Sequence, residues 1–130
     1  MQFHHIGIAT DRIDRLAKMY TRLLGVEVVH EEELESLRVI FLDLGDGYIE
    51  LLEPINGEGP IARYLDRHGS GIHHMALATD DIVGALERAQ GLGITTIDDE
   101  PRAGAWGHEV AFLHPSDTGG VLVEFVSTHT

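Results

Sequence analysis

The chain has 130 residues, 43% of them hydrophobic, and nine Lys and Arg residues against 22 Asp and Glu residues, a formal net charge of −13. This composition is sufficient for the core of one compact domain and excludes a disordered acidic tail. The charge excludes nucleic-acid and anionic-membrane partners, and the absence of cysteine excludes disulfides and thiolate metal sites.

The N-terminal segment is repeated in the second half of the chain. Residues 4–13 read HHIGIATDRI and residues 73–82 read HHMALATDDI, which are identical at six of ten positions. This similarity predicts an internal duplication. Each copy begins as an alternating strand and continues into a helix, which we expect to be N-capped at the Thr-Asp pairs of residues 10–11 and 79–80.

Both predicted helices have one apolar face and end at a glycine, Gly25 or Gly93. The apolar positions of the two faces are Ile13, Leu16, Ala17, Tyr20, Leu23 and Leu24 in the first helix and Ile82, Ala85, Leu86, Ala89 and Leu92 in the second.

Each half then returns to strands. Residues 39–42 match residues 110–113, and each segment is followed by a glycine-containing turn and a last apolar strand, YIELLE at 48–53 or VLVEFV at 121–126. The pattern predicts an α+β fold in which two tandem βαβββ modules, at about 1–55 and 71–127, form one curved mixed sheet. Residues 1–130 are expected to be a single domain, with a connecting helix at about 60–68 that begins at Pro60.

Strand alternation selects two histidines. His5 shares one strand face with small residues, as does His74, whereas His4 and His73 share the other face with bulky apolar residues. The face with small residues leaves space for a ligand. His5 and His74 are therefore the candidate metal ligands, and His4 and His73 are expected to be core residues.

The last strand of each half carries one acid within an apolar run, Glu50 in the first and Glu124 in the second. A buried carboxylate is costly unless it is paired or bound to a cation. Two imidazoles and two carboxylates suit zinc, cobalt, nickel, manganese or iron(II). The alternative is that the histidines are hydrogen-bonded core residues and the glutamates form interior ion pairs.

Over nearly its whole length, the duplicated chain resembles the glyoxalase, or vicinal oxygen chelate, superfamily. Within it, the segments GPIARYL, EPRAGAWGHEVAFLHP and TGGVLVEF resemble the methylmalonyl-CoA epimerases. The resemblance implies that His5, Glu50, His74 and Glu124 bind one divalent metal ion (cobalt, zinc, manganese or nickel), that the substrate is an acyl-CoA, and that the chain forms a homodimer.

The implied activity is the interconversion of (R)- and (S)-methylmalonyl-CoA through an enolate, with Glu50 and Glu124 as the acid/base groups. Two positions depart from the family pattern. Val39 occupies the place of a glutamate that is a catalytic base in some members, and Ser116 follows His114-Pro115 where many members have lysine.

Further residues have two interpretations each. The loop Gly104–His108 is either a cover of the site that contacts the acyl-CoA or a surface hairpin with a packing tryptophan. Arg63, Arg67 and Arg102 are either contacts for CoA phosphates or solvated surface residues. Tyr48 and Leu52, which share the strand parity of Glu50, are candidate pocket residues.

Three alternatives to the epimerase remain at this point. Glyoxalase I shares the metal and proton-transfer chemistry, a ring-cleaving dioxygenase prefers two histidines and one carboxylate, and an antibiotic-sequestering protein of this fold usually lacks the ligands.

Lys18 is the only lysine, and such an acidic, arginine-biased composition resembles that of haloarchaeal proteins. With no signal-like N-terminus and no run of about 20 apolar residues, a cytoplasmic protein is expected.

Overall fold

The computed structural model describes residues 1–128, which form strands, three α-helices and two short 3₁₀ turns. The strands are β1 Gln2–Ala9, β2 Glu27–Leu34, β3 Leu37–Asp43, β4 Tyr48–Pro54, β5 Gly71–Thr79, β6 Arg102–Ala103, β7 Glu109–Leu113 and β8 Val123–Ser127. The α-helices are α1 Ile13–Leu24, α2 Pro60–His68 and α3 Ile82–Gly91, and the 3₁₀ turns are Ala105–Gly107 and Pro115–Asp117. Over residues 1–128, no helix is long and apolar enough to cross a membrane.

The described chain divides into two compact units, each of which is described by itself. The first unit is His5–His73, and the second comprises Met1–His4 together with the chain from His74 onward. Strand order is β2-β3-β4-β1 in the first unit and β5-β8-β7-β6 in the second. In both orders the strand that precedes the helix pairs in parallel with the last strand, and the other neighbours are antiparallel. The predicted α+β class and the doubled βαβββ pattern are thereby confirmed.

Each unit has its own apolar core between a helix and one face of its strands. In the first unit, Ile13 and Ala17 of α1 pack with Ile40 and Leu51. In the second unit, the corresponding cluster contains residues of α3, β7 and β8, namely Ile82, Leu86, Ala89, Ala111, Leu113, Val123 and Phe125. Strand residues on the face opposite to His5 and His74, such as Ile8, join these clusters, as the alternation predicts.

The predicted apolar faces extend too far toward the C-termini of the helices. The exposed fractions are 69% for Leu23, 45% for Leu24 and 73% for Leu92, so these three leucines of the predicted apolar faces are exposed to solvent. The 3.6-residue period identifies a stripe along a helix, but it does not show where the strands beneath the helix end.

The predicted N-caps were also wrong, because both helices begin later than expected. Asp81 caps α3, its side chain accepting from the backbone N–H of Gly84, and the carboxylate of Glu53 accepts from the N–H of Ile13 at the start of α1. Thr10 and Thr79 each accept from the backbone N–H two residues later and so stabilise the turn before the helix.

The connecting helix is confirmed as α2, with Pro60 at its start. Proline suits this position because the first N–H groups of a helix have no intrahelical partner. The predicted end of α1 is also confirmed: Gly25 has φ 66° and ψ 36°, a left-handed conformation that glycine adopts without a steric penalty. That the two modules form a single domain stays a prediction.

Candidate active site

The first unit holds one buried histidine–glutamate pair. His5 on β1 and Glu50 on β4 lie on neighbouring parallel strands, where Glu50 is in register with Gly7. The distance between His5 Nε2 and Glu50 Oε1 is 3.2 Å, and the two side chains are 4% and 6% exposed. Gly7 leaves the space beside this pair unfilled by a side chain, as the sequence predicts.

The second unit repeats the arrangement. His74 on β5 and Glu124 on β8 lie on neighbouring parallel strands, with Ala76 in register with the glutamate. His74 Nε2 lies 3.1 Å from Glu124 Oε1, and the side chains are 4% and 7% exposed. The four residues selected from the sequence thus form two equivalent pairs, one within each unit.

A phenylalanine ring at an equivalent position in each unit contacts the histidine of the pair edge to face. The rings of His5 and Phe41 are 5.6 Å apart and those of His74 and Phe112 are 5.7 Å apart, both with an interplanar angle of 86°. Phe41 is in register with Glu50 and Phe112 with Glu124. Sequence reasoning missed both phenylalanines, although the match of residues 39–42 with 110–113 carries the signal.

We call the side of each unit that carries the histidine–glutamate pair its site face. On the first site face, Tyr48 is in register with His5 and Leu52 with Ala9, so both share the side of Glu50 that strand parity predicts. Val39 on β3 pairs with Leu52 on β4, and Val39 is only 1% exposed. The position at which the family resemblance implies a glutamate in some members therefore holds a buried apolar side chain here.

The sequence did not predict two polar contacts near the outer strands of the units. On β2, His30 Nε2 lies 3.1 Å from Glu32 Oε1, and both side chains are about a quarter exposed, at 27% and 25%. In the second unit, Asp98 accepts from Arg102 Nε at 3.0 Å and from the backbone N–H of Phe112 at 2.9 Å. Asp98 lies outside the described strands, where alternation carries no information.

The loop Gly104–His108 forms a tight turn in which the N–H of Gly104 donates to the carbonyl of His108. Trp106 has φ 62° and ψ 27°, a left-handed conformation that costs a bulky residue roughly 1–3 kcal/mol. A methyl group at Gly104 would lie 2.7 Å from Val110 Cγ1, so a larger residue there would require the Val110 side chain to shift. Strain of this kind is concentrated at functional sites, but a role for the loop in covering the site or contacting the acyl-CoA stays a prediction.

The other predicted phosphate contacts differ in their surroundings. Arg63 and Arg67 are exposed on α2, whereas the guanidinium of Arg102 lies 5.4 Å from the centroid of the Phe112 ring. At the position of the family lysine, the backbone N–H of Ser116 donates to His114 Nδ1 within a 3₁₀ turn.

A cavity of about 440 Å³ in the second unit lies away from the site face. Its lining includes Asp81, Arg88, Leu113 and Phe125, which belong to the helix side of the unit, and none of the predicted ligands. The histidine–glutamate pairs therefore lie outside this cavity.

The donor chemistry of both pairs fits a divalent metal ion. Imidazole nitrogen and carboxylate oxygen are ordinary ligands of zinc, cobalt, nickel and manganese. A carboxylate that is almost fully buried requires a cation or strong hydrogen bonds, and each one lies against an imidazole nitrogen. His5 and Glu50, like His74 and Glu124, thus have the donor chemistry of metal ligands, and their role as ligands stays a prediction.

Comparison with known proteins agrees with this geometry. A model of the Glyoxalase/Bleomycin resistance protein/Dioxygenase superfamily matches residues 4–112. The mitochondrial methylmalonyl-CoA epimerase of Homo sapiens is 35% identical over 126 residues, which are 95% of this chain and 72% of the human protein. The ethylmalonyl-CoA/methylmalonyl-CoA epimerase of Cereibacter sphaeroides is 37% identical over 127 residues, 95% of each chain.

A solved structure extends the similarity to the fold. A variant of the Streptomyces coelicolor methylmalonyl-CoA epimerase, in complex with 2-nitronate-propionyl-CoA, matches with a TM-score of 0.93 and 34% identity, covering 100% of this chain and 99% of that one. The resemblance stated from the sequence is confirmed. The chain belongs to the Glyoxalase/Bleomycin resistance protein/Dioxygenase superfamily, with relatives that are isomerases of the racemase/epimerase class.

Proposed function

We propose that this protein is a metal-dependent methylmalonyl-CoA epimerase that interconverts the (R) and (S) forms of its substrate. The observation that carries the proposal is the buried histidine–glutamate pair repeated at equivalent strand positions in both units. Support also comes from relatives of that name, which match 95% of the chain. They favour the epimerase over glyoxalase I, a dioxygenase and a sequestering protein.

The proposed metal ligands are His5, Glu50, His74 and Glu124, holding one divalent ion per chain. Cobalt, zinc, manganese and nickel all suit this donor set. When bound, such an ion supplies Lewis-acid stabilisation of the negative charge on the carboxylate and thioester oxygens of the substrate.

Glu50 and Glu124 are also the proposed acid/base groups, each combining or exchanging metal ligation with proton transfer. One carboxylate accepts the proton from the carbon between the free carboxylate and the thioester. The C–H bond breaks, and its electron pair is delocalised into the thioester as an enolate. The other glutamate, in its protonated form, then donates a proton to the opposite face of that carbon, which inverts the centre without redox change. We assign one acid/base glutamate to each half of the duplication, so that each glutamate serves one face of the substrate carbon.

Deuterium exchange tests this function directly. The metal-loaded protein is incubated with (R)- or (S)-methylmalonyl-CoA in deuterated water, with and without chelator, in parallel with the methylglyoxal–glutathione adduct. We expect metal-dependent deuteration of the α-carbon and inversion of either stereoisomer. Turnover of the glutathione adduct alone would instead identify a glyoxalase, and binding of both compounds without turnover would identify a sequestering protein.

The proposed partner is the acyl-CoA substrate itself. A complex of the Streptomyces coelicolor relative with 2-nitronate-propionyl-CoA supports this class of ligand. The homodimer implied by the family stays a prediction, which light scattering on the purified protein checks.

A further inference from the structure

One row of residues corresponds between the two site faces and differs in charge at its outer end. In the first unit, the row that runs across β2, β3, β4 and β1 is Glu32, Val39, Leu52 and Ala9. In the second unit, the same row across β6, β7, β8 and β5 is Arg102, Val110, Val126 and Ala78. The apolar positions correspond one to one. The outermost position alone carries a carboxylate in one unit and a guanidinium in the other.

Ring contacts place each charged side chain on its site face. Glu32 lies against His30, whose ring centroid is 6.2 Å from that of Phe41. Arg102 stacks on Phe112, the residue whose ring meets His74 edge-on. Arg102 is therefore separated from the proposed ligand His74 by one ring, that of Phe112, and Glu32 from His5 by two, those of His30 and Phe41.

Arg102 is held in place and still accessible. Asp98 accepts from its Nε at 3.0 Å, and its guanidinium carbon lies over the Phe112 ring, 5.4 Å from the ring centroid. The side chain is nevertheless 53% exposed, compared with 15% for Asp98. A fixed, solvent-accessible guanidinium loses little conformational entropy on binding an anion and is suited to the planar oxygens of phosphate.

A substrate with one polyanionic end interacts differently with the outer strand that carries Glu32 and with the one that carries Arg102. The acyl-CoA carries its phosphates on the thioester side, whereas the two units offer similar ligands for the malonyl part. The carboxylate of Glu32 repels phosphate, and Arg102 attracts it in a chain whose net charge of −13 is otherwise unfavourable. The charge difference thus supplies a basis for one binding orientation.

Building on the proposed function, we propose that Arg102 is a specificity-determining residue that binds a phosphate group of the CoA moiety. Glu32 disfavours the reversed orientation by repulsion. Arg102 does not contact the reacting carbon, so it contributes to substrate binding and not to the proton-transfer step.

The test compares two substrates in the deuterium-exchange reaction at a fixed KCl concentration. One is methylmalonyl-CoA, and the other is methylmalonyl-pantetheine, which has the same reacting end and no phosphate. In Arg102→Gln, we expect KM for methylmalonyl-CoA to rise roughly tenfold with kcat within twofold of the wild type, and KM for the pantetheine thioester to stay unchanged. Arg22→Gln removes the same charge from the exposed end of α1 and is expected to change neither KM.

Two further variants separate binding from folding. Arg102→Lys retains the charge but not the planar guanidinium and should recover part of the affinity for methylmalonyl-CoA, whereas Glu32→Gln should lower its KM. An Arg102→Gln variant that raises KM equally for both thioesters, or for neither, would overturn the inference while leaving the epimerase intact. Absence of exchange in the wild type with both thioesters would refute the proposed function instead.

Discussion

Glu50 and Glu124 are each 5% exposed, each beside an imidazole nitrogen, on the last strand of a βαβββ pattern. At this scale the sequence was most informative. Strand alternation assigned His5 and His74 to the face with small neighbours, and a single acid in an apolar run identified each glutamate. What it did not predict was the support: the contact of Asp98 with Arg102 depends on a loop conformation that no periodicity encodes.

Replacement of either glutamate tests its role in proton transfer. Glu50→Gln and Glu124→Gln retain side-chain size but remove the basic oxygen, so turnover is expected to fall by at least roughly 100-fold with the far-UV circular dichroism spectrum unchanged. Glu87→Gln, on the exposed face of α3, is the matched control. Near-normal α-proton exchange in Glu50→Gln would show that another residue is the second base.

Metal content tests the histidines separately from activity. His5→Ala and His74→Ala each remove one proposed ligand, so the metal-to-protein ratio after loading and gel filtration is expected to fall below that of the wild type. His73→Ala is the control, since this histidine precedes His74 on the same strand and its ring lies against Tyr64. Full metal occupancy in both test variants would contradict the ligand assignment.

The cap of α3 permits a stability prediction. Asp81 accepts from the N–H of Gly84 at 3.0 Å, so Asp81→Ala is expected to destabilise the fold by about 1 kcal/mol and to lower Tm by about 3–5 °C. The neighbouring Asp80→Ala removes the same charge without this cap. Equal melting temperatures for the two variants would show that the cap contributes nothing measurable.

At the scale of elements, one bidentate ion pair joins α1 to the strands of its unit. Arg38 on β3 donates from Nη1 and Nη2 to the two carboxylate oxygens of Asp14, at 2.7 and 2.8 Å. The hydrogen bonds from Arg38 hold the pKa of Asp14 below its ordinary value of 3.8. Because the folded-state pKa is the lower one, this pair stabilises the fold above pH 3.8, and the contribution is lost as pH falls through the folded-state pKa.

The pH dependence of the melting temperature tests this pair. The Tm difference between wild type and Asp14→Asn is expected to be present at pH 5–7 and to shrink as pH falls through the folded-state pKa of Asp14, because the protonated carboxyl group, like the amide, carries no charge. Asp11→Asn is the control, as the nearest arginine nitrogen lies 3.9 Å from that carboxylate. A constant difference across the whole pH range would mean that residue 14 acts by something other than its charge.

Elements differed in how well the sequence predicted them. The duplicated strands and α2 were predicted because alternation and a proline at the start of a helix are local signals. The two-residue strand β6 was predicted only through the repeat of the βαβββ pattern and without bounds, since its pairing of Arg102 with Val110 is imposed by β7 and not by its own residues. For the same reason the charge difference between Glu32 and Arg102 emerged only from the register of the strands.

On the scale of the whole molecule, the net charge of −13 determines how the protein responds to salt. Mutual repulsion of surface carboxylates destabilises the folded chain, and salt screens it. Tm is therefore expected to rise steeply between low and molar KCl, as in haloarchaeal proteins. A flat response would identify an ordinary acidic protein.

The same field acts on the proposed substrate, which is itself a polyanion. A single arginine is outweighed by the net charge at long range, so KM of the wild type for methylmalonyl-CoA is expected to fall as KCl rises toward molar levels. Steady-state kinetics across a KCl series checks this, with the pantetheine thioester as a less charged control. A KM that rises with salt would show that local attraction dominates.

The strained turn at Trp106 has an optical consequence. Trp106 is the only tryptophan of the chain, and its ring centroid lies 6.0 Å from that of His108. Intrinsic indole fluorescence therefore comes from one loop of one unit, with no second emitter to subtract. The unlabelled protein thus has a built-in emission signal from this loop, which can be followed during titration with metal or acyl-CoA.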